Sequence, residues 1–505
     1  MPFGPTHSII LQLAQWSVTS FFSESVTMGE ENVPTDDGLI VCTNHWNMTV
    51  DPAVLSVLFP HGRRMHYWAK DSLFKNKVGA AILYDAGNIP VDRKNKNNQL
   101  LFAGTFDVLK LNECVSIFPE GTSYTEPQIR AIKDGASWVA LEYAKNLRDQ
   151  GSKDSHGTTI GGIKHPKIAV AGINYTDKSK YRSRVIMQFG ETIDVEPYID
   201  DFLKDPKPTV KRLTDRLQGS LRSLTVNAPD WDIMNAAKGA RYLLYPAEAD
   251  LPLRQYQRVS QALIDFLSAP KAAAKTSELK QILVDYDAAL KKAGLSHNQL
   301  ADYGLPSSLD PTRPIDTPTR VAALTQLVGS TLASLVRLPF FIPPLIFHLP
   351  VYTAGKLTLK YINSKEEESF AQNKVLICMI MLLVSYPVLF LLIWSIWLPS
   401  KVGAVLSFGL VWAFAHFHVA MIDDNYAHFK RLTTSWVVLS GVWLPEASGQ
   451  AAQGNPIRAA LLARSRAIVK LREALANADD LVPLLKQTGA RSRYLPATPT
   501  HVKSE

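Results

Sequence analysis

The sequence predicts an α/β domain followed by a helical appendage and a C-terminal transmembrane helical hairpin. Three observations carry that reading. Short apolar runs alternate with longer helical windows between Gly38 and about residue 200, charge and helix formers rise after residue 206, and two uncharged apolar stretches follow near residues 375–398 and 402–422.

The strand candidates are residues 39–42 (LIVC), 115–118 (VSIF), 168–171 (IAVA) and 185–187 (VIM), each bounded by turn formers or charge. Helical spacing fits residues 53–58, 100–111 and 129–147, and the Gly- and Ser-containing residues 151–164 read as a loop. Upstream, residues 8–22 place Ile9, Leu13, Trp16 and Val18 at roughly helical spacing. That face suits either a membrane interface or packing on the domain. No Lys or Arg precedes Arg63, so the N-terminus lacks the basic start of a secretory signal and is expected to stay in the mature protein.

Residues 375–398 carry no charge and are long enough to cross a hydrocarbon core of about 30 Å at about 1.5 Å per residue. Only Pro399, Ser400 and Lys401 separate them from residues 402–422, which predicts a tight hairpin. Lys360, Lys365, Lys374, Lys430 and Arg431 flank its outer ends against a single Lys401 at the tip, so both chain ends are expected to face the cytosol. In residues 338–355, Pro339, Pro343, Pro344 and Pro350 predict a re-entrant or interfacial segment rather than a span. Residues 456–476 read as a basic amphipathic helix followed by a polar tail. The predicted divisions are 1–37, an interfacial helix and lead-in; 38–205, the α/β domain; 206–325, the helical appendage; 326–435, the membrane region; and 436–505, the amphipathic helix and tail.

The 505 residues carry a formal charge of +8, which suits anionic partners, whether nucleic acid, a membrane surface or phosphorylated substrates. Concentration of the apolar residues into a few segments turns that excess toward lipid, and no nucleic-acid partner is expected. Cys42, Cys114 and Cys378 are an odd set without close spacing, so neither a disulfide framework nor a cysteine metal site is predicted. The hallmarks of serine hydrolases (GxSxG), zinc proteases (HExxH) and nucleotide folds (GxxxxGK[ST], GxGxxG) are all missing from the sequence.

What does appear is residues 44–52, NHWNMTVDP, just after the first strand. An imidazole accepts a hydroxyl proton near neutral pH, and a carboxylate fixes its tautomer, so His45 and Asp51 are candidates for base and orienter. Alone the pair says little. With 12 histidines, about half of one His-x5-Asp match is expected by chance. His416 and His418 lack a third ligand and read as satisfied within a helix bundle, with no metal expected.

Three further blocks follow in order: residues 87–93 (GNIPVDR), 118–123 (FPEGTS) and 170–175 (VAGINY). Together the four resemble the sequence blocks of the glycerolipid acyltransferase family. Residues 181–190 (YRSRVIMQFG) and the C-terminal hairpin make the fungal glycerol-3-phosphate/dihydroxyacetone-phosphate acyltransferases the branch most similar. The resemblance covers about residues 38–195 and implies a mixed-sheet acyltransferase domain. One departure stands out: the family at large places four residues between His and Asp, and here there are five.

The resemblance implies acyl transfer from acyl-CoA, as co-substrate and with no bound cofactor, to the sn-1 hydroxyl of glycerol 3-phosphate, with dihydroxyacetone phosphate as a second acceptor. His45 would be the base and Asp51 its orienter. Arg93 would grip the substrate phosphate, and Glu120 would contact substrate hydroxyls or hold the loop. Backbone N–H groups near Gly121 and Thr122 would receive the oxyanion, with Ser123 completing the block. Arg182 and Arg184, two apart on a predicted strand, would share a face and add phosphate or CoA contacts; Lys70 and Arg130 are weaker candidates of the same kind. The resemblance further implies a multi-pass protein of the endoplasmic reticulum membrane with its catalytic domain in the cytosol. Acylation of 1-acylglycerol 3-phosphate uses the same blocks and is the alternative activity. A non-catalytic lipid-binding or scaffold protein is the alternative of another class. Oligomeric state has no signature in the sequence.

Overall fold

The structure is a computed structural model that describes residues 3–91, 98–149, 165–246, 250–269, 273–300, 320–361, 366–443, 456–476, 478 and 480–488. It divides into two compact units: residues 1–226 with 353–381, and residues 227–352 with 382–505.

The first unit is built on an eight-stranded sheet comprising β1 (Phe22–Met28), β2 (Leu39–Thr43), β3 (Met65–Lys70), β4 (Ile89–Val91), β5 (Cys114–Ile117), β6 (Lys167–Tyr175), β7 (Ser183–Phe189) and β8 (Ile193–Asp194). Their order is β1-β7-β6-β2-β5-β3-β4, with β8 beside β6. β6 runs antiparallel to β7 and β8, while the other pairings are parallel, so the sheet is mixed. Strands covered on both faces read as continuous apolar runs, which is why β2, β5, β6 and β7 stand where the sequence predicts them. Period-two alternation sends Leu39 and Val41 to one face and Ile40 and Cys42 to the other, and two separate cores result. β4 pairs along the sheet with β3 alone, an edge position that tolerates Pro90.

One face is covered by α1 (Pro5–Phe21) and α2 (Val50–Leu58), which bury Val18, Phe21, Val50, Val54 and Leu55. Its N-terminus is tied to the end of α3 (Lys77–Asp85), since the Thr6 N–H donates to Asp85 Oδ2 at 2.8 Å. Ile9 and Trp16 of α1 stay exposed. The helix therefore packs through its C-terminal end and leaves apolar surface at its middle. The opposite face is covered by α4 (Asn98–Lys110), α5 (Gly135–Asp149), α6 (Ile199–Lys204) and α7 (Pro206–Leu224).

Helix α7 corrects the domain boundary predicted at residue 205. Val210, Leu213, Leu217, Leu221 and Leu224 recur every three or four residues and bury one stripe in this core, so the unit extends to Val226. Gly172 of the VAGINY block permits that approach: a Cβ there would lie 2.5 Å from the Leu224 carbonyl oxygen. Asn174 seals the same junction, its Nδ2 donating to Leu224 O at 2.8 Å and its Oδ1 accepting the Val226 N–H at 3.2 Å.

In the second unit, α8 (Trp231–Leu244), α9 (Tyr256–Ser268) and α10 (Ala273–Ala293) form a helical body. Three long helices follow in the chain, α11 (Arg320–Tyr361), α12 (Phe370–Leu392) and α13 (Lys401–Trp443), of which residues 353–381 belong to the first unit. Two more, α14 (Pro456–Leu475) and α15 (Leu481–Gln487), end the described chain. The amphipathic helix predicted over 456–476 is α14. Rather than a separate peripheral element, it is part of the helical body: Ile468, Leu471 and Leu475 are buried, as are Leu283 and Tyr286 of α10, the helix it packs against.

Three segments, Val321–Thr358, Glu367–Trp397 and Lys401–Ser440, are long and apolar enough to cross a membrane. Trp397 is 80% exposed and Val402 70%, surface that water disfavours and lipid accepts. The second and third contain the predicted spans. The first includes residues 338–355, predicted as a re-entrant or interfacial segment; Pro339, Pro343, Pro344 and Pro350 all lie inside continuous α11 and do not break it. A proline removes one N–H from the helix, a loss that neighbouring helices and polar side chains can absorb where no water competes. His348 Nδ1 donates to the Pro344 carbonyl at 2.8 Å, its Nε2 lies 3.0 Å from Tyr386 Oη, and its ring stacks on His418 at 3.7 Å. His418 Nε2 lies 3.0 Å from Tyr352 Oη, and His416 Nδ1 donates to Trp412 O, so both predicted intramembrane histidines are satisfied. Among the described residues no group of three His, Cys, Asp or Glu can hold a metal ion.

The two glycines at α7 separate a close contact from open space. Gly172→Ala should destabilise the protein by about 1–3 kcal/mol through forced displacement of α7. Gly219→Ala, with nothing within 4 Å of the new methyl, should be neutral or stabilise it by up to about 1 kcal/mol. Thermal unfolding of the detergent-solubilised chain measures both.

Candidate active site

The chain reverses its walk across the sheet at β2, whose neighbours are β5 on one side and β6 on the other. Ligands of open α/β sheets bind beyond the carboxyl ends of strands at such a reversal. β2 and β5 are parallel, with Cys42 beside Ile117, so the loops that leave them emerge together. One carries His45 and the other carries Glu120.

The link between the loops is direct. The His45 backbone N–H donates to Glu120 Oε1 at 2.7 Å, and the His45 ring stacks on Phe118 with centroids 4.1 Å apart. His45 Nδ1 lies 2.9 Å from Asp51 Oδ2. The Asn47 N–H also donates to Oδ2, at 2.7 Å, and the Tyr175 hydroxyl donates to Oδ1 at 2.5 Å. Asp51 is wholly buried and accepts from the Asn47 N–H and the Tyr175 hydroxyl; with the imidazole proton on Nδ1 as its third donor, a neutral ring keeps its free lone pair on Nε2. Burial and the adjacent Asp51 charge push the Tyr175 phenol well above its ordinary pKa, so it stays a donor.

Five residues between His45 and Asp51 are accommodated by a local reversal: Met48 has φ +35°, and α2 begins at Val50. The strand side of the loop is pinned by Asn44, whose Oδ1 accepts the Ile173 N–H at 2.7 Å and whose Nδ2 donates to Ile173 O at 3.0 Å. The last block thus serves the site from beneath, through Ile173 and Tyr175.

In FPEGTS, Gly121 adopts φ +78°, a conformation that favours glycine, and its N–H donates to Phe118 O at 3.0 Å. That corrects half of the expected oxyanion pair, because the Gly121 N–H is engaged within the turn. The Thr122 N–H has no partner among the described residues. Thr122 is exposed, its hydroxyl donating weakly to Ser123 O, and Ser123 is half-buried. Lys133 lies against this turn, its Nζ 2.5 Å from where a Gly121 Cβ would stand. Glu120 is 4% exposed and its Oε2 has no partner among the described residues. Burial lifts its carboxyl to about 8, partly opposed by the His45 N–H, so the acid is largely protonated near neutral pH.

The other predicted cations stand apart from this cluster. Arg182 lies in the turn before β7, at φ +58°, so it does not share a strand face with Arg184. Its Nη1 donates to Thr19 O, Ser20 O and Phe22 O, closing the C-terminal end of α1. Arg184 Nη1 reaches Glu24 Oε2 on β1 at 3.4 Å. Both predicted substrate contacts are therefore corrected to contacts that fasten α1 and β1 to β7. Arg130 pairs with Glu126 and lies over the Tyr124 ring, while Lys70 is exposed at the end of β3. Arg93 falls outside the described residues.

Tyr175, Phe118, Asn44 and Lys178 are contributors that the sequence reading left without a role. Tyr175 and Phe118 lay within quoted blocks, and their position beside polar motif residues was the available signal. Lys178 carried none; its Nζ donates to Trp46 O at 3.1 Å and to Thr125 Oγ1 at 2.5 Å.

The raised Glu120 value sets a pH dependence. Between its usual 4.5 and about 8 the unfolded chain releases this proton while the folded chain keeps it, so stability falls as pH rises through that window. Glu120→Gln should therefore lose less thermal stability than the parent protein between about pH 5 and pH 8, measured by unfolding midpoint.

The chain is similar in sequence to several known proteins. Residues 25–156 match the family model described as Acyltransferase. The chain is 27% identical over 374 residues to glycerol-3-phosphate O-acyltransferase 2 of Saccharomyces cerevisiae, covering 70% of this chain and 46% of that protein. It is 35% identical over 112 residues to the 1-acyl-sn-glycerol-3-phosphate acyltransferase of Bacillus subtilis, 22% of this chain and 53% of that one. The chain thus spans about half the length of these relatives. Among solved structures, the 1-acyl-sn-glycerophosphate acyltransferase of Thermotoga maritima aligns at TM-score 0.31 and 15% identity over 43% of this chain and 78% of that one. Over residues 25–156 the chain is similar to the Acyltransferase family.

Proposed function

We propose that the chain is a glycerol-3-phosphate 1-O-acyltransferase, taking a fatty acyl group from acyl-CoA and using dihydroxyacetone phosphate as a second acceptor. The observation that carries the proposal is the His45 imidazole with its Nδ1 on Asp51, its ring against Phe118 and no partner on its Nε2 among the described residues. His45 Nε2 removes the proton from the sn-1 hydroxyl as that oxygen bonds to the thioester carbonyl carbon. The tetrahedral intermediate collapses with cleavage of the C–S bond, and the imidazolium returns its proton to the departing CoA sulfur. The acceptor oxygen attacks directly, and no acyl-enzyme forms.

The remaining groups take supporting roles. Glu120 holds the His45 loop through Oε1, and its neutral acid donates from Oε2 to an acceptor oxygen. Thr122 N–H, with Ser123 next in the turn, faces the developing oxyanion. Arg93 grips the acceptor phosphate, with Lys133, which lies against the FPEGTS turn, as a second cation. No bound cofactor takes part. The long apolar helices seat the enzyme in the endoplasmic reticulum membrane with its catalytic domain on the cytosolic side. The exposed Ile9 and Trp16 of α1 rest in the bilayer interface, where the lipid product is released.

Membranes containing the full chain, supplied with acyl-CoA and each acceptor in turn, test this reading. Acylation of glycerol 3-phosphate is expected, falling by about a thousandfold in His45→Ala, with a comparable loss in Asp51→Asn. Acyl transfer to 1-acylglycerol 3-phosphate alone would replace the proposed acceptor, and transfer to none of them would leave a lipid-binding role instead.

A further inference from the structure

The first turns of α12 belong to the same compact unit as the His45 loop, although some 320 residues of chain separate them. Ala371 is wholly buried in the α1–α2 core and Val375 packs against it. Three polar side chains of this segment then reach three different loops of the site. Gln372 Oε1 accepts the Thr49 N–H at 3.3 Å and the Thr49 hydroxyl at 3.0 Å. Glu368 Oε2 accepts the Thr125 hydroxyl at 2.8 Å, just beyond FPEGTS. Lys374 Nζ donates to Ser179 O at 2.8 Å, in the turn that follows Tyr175.

These contacts close into one network. Thr125 Oγ1 accepts from Lys178 Nζ, Lys178 Nζ also donates to Trp46 O, and Asn47 Nδ2 donates to Lys178 O at 2.9 Å. Both neighbours of the reactive imidazole loop, residues 118–125 and 174–180, are thereby held by residues 368–374, the turn before α12 and its first turn, which also hold Thr49. Thr49 lies within the five-residue spacer, immediately after Met48 at φ +35°. The longer spacing thus has a physical correlate: the reversal at Met48 presents the Thr49 N–H and hydroxyl outward, where Gln372 meets them.

We propose that Gln372 and Glu368, at the start of an apolar helix, are positioning residues of the acyl-transfer site, holding the His45–Asp51 loop and the FPEGTS turn in register. Seating of α12 and assembly of the catalytic geometry are then one event. The inference rests on the acyltransferase reading for its activity measurement and on loop mobility for an independent one.

The test uses the full chain in membranes with two variants of one side chain. Gln372→Leu removes the acceptor at similar size, and Gln372→Glu keeps an acceptor oxygen. Gln372→Leu should lower kcat about fivefold, with KM for acyl-CoA changing less than about twofold, and Gln372→Glu should restore at least about half of the loss. Deuterium exchange of a peptide spanning residues 44–52 should quicken about fivefold in Gln372→Leu alone. Unchanged kcat and exchange in Gln372→Leu, or equal losses in both variants, would overturn the proposal. If the parent chain acylates no acceptor, the acyltransferase reading fails by itself, and the exchange measurement still decides the positioning role. Should exchange also rise in α5, far from the contact, the fold has loosened. Thr49→Val, which removes only the hydroxyl, then decides by the same exchange criterion in residues 44–52.

Discussion

Parallel pairing of β2 with β5 is the constraint on which the site depends. It sets two loops side by side beyond the carboxyl ends of two central strands, and a hydrogen bond from the His45 backbone N–H to the Glu120 side chain joins them. Everything catalytic in the proposal is downstream of that bond. The imidazole is then fixed in three ways: Asp51 selects its tautomer, Phe118 sets its plane, and the Glu120 carboxyl group anchors its backbone through Oε1. Such over-determination suits a base that must meet a hydroxyl in one orientation, since misplacement by about 1 Å is enough to lose much of the rate.

The four sequence blocks divide their work differently from what their residue types suggest. In VAGINY, Gly172 and Asn174 serve the junction with α7, whereas Ile173 and Tyr175 hold Asn44 and Asp51. In FPEGTS, the aromatic and the acid face His45 while Gly121 only makes the turn. Alternation along one strand lets a single block act on both faces of a sheet.

The legible parts of the fold were those with a strong one-dimensional signature. Buried central strands are plain apolar runs, and α2, α4 and α5 carried helical periodicity, so their existence was readable even where their ends shifted. β3, with His66, Trp68 and Lys70, has no such signature, and β4 is only three residues with a proline at its centre. The prolines of α11 do not break the helix, because the N–H each one removes can be made good by neighbouring helices and polar side chains where no water competes. Within the site, His45, Asp51 and Glu120 were legible because chemistry restricts residue type. Arg182 was not, since a guanidinium that caps three carbonyls and one that binds phosphate look alike in sequence.

The pairing of α10 with α14 has a consequence for synthesis on the ribosome. Leu283 and Tyr286 on α10 are made long before Ile468 and Leu471 on α14, and all three apolar helices emerge in between. Through that interval the nascent chain presents a bare hydrophobic seam that its own later residues must cover. Maturation of the helical body is thereby tied to the synthesis of α14, after the three long apolar segments have been made.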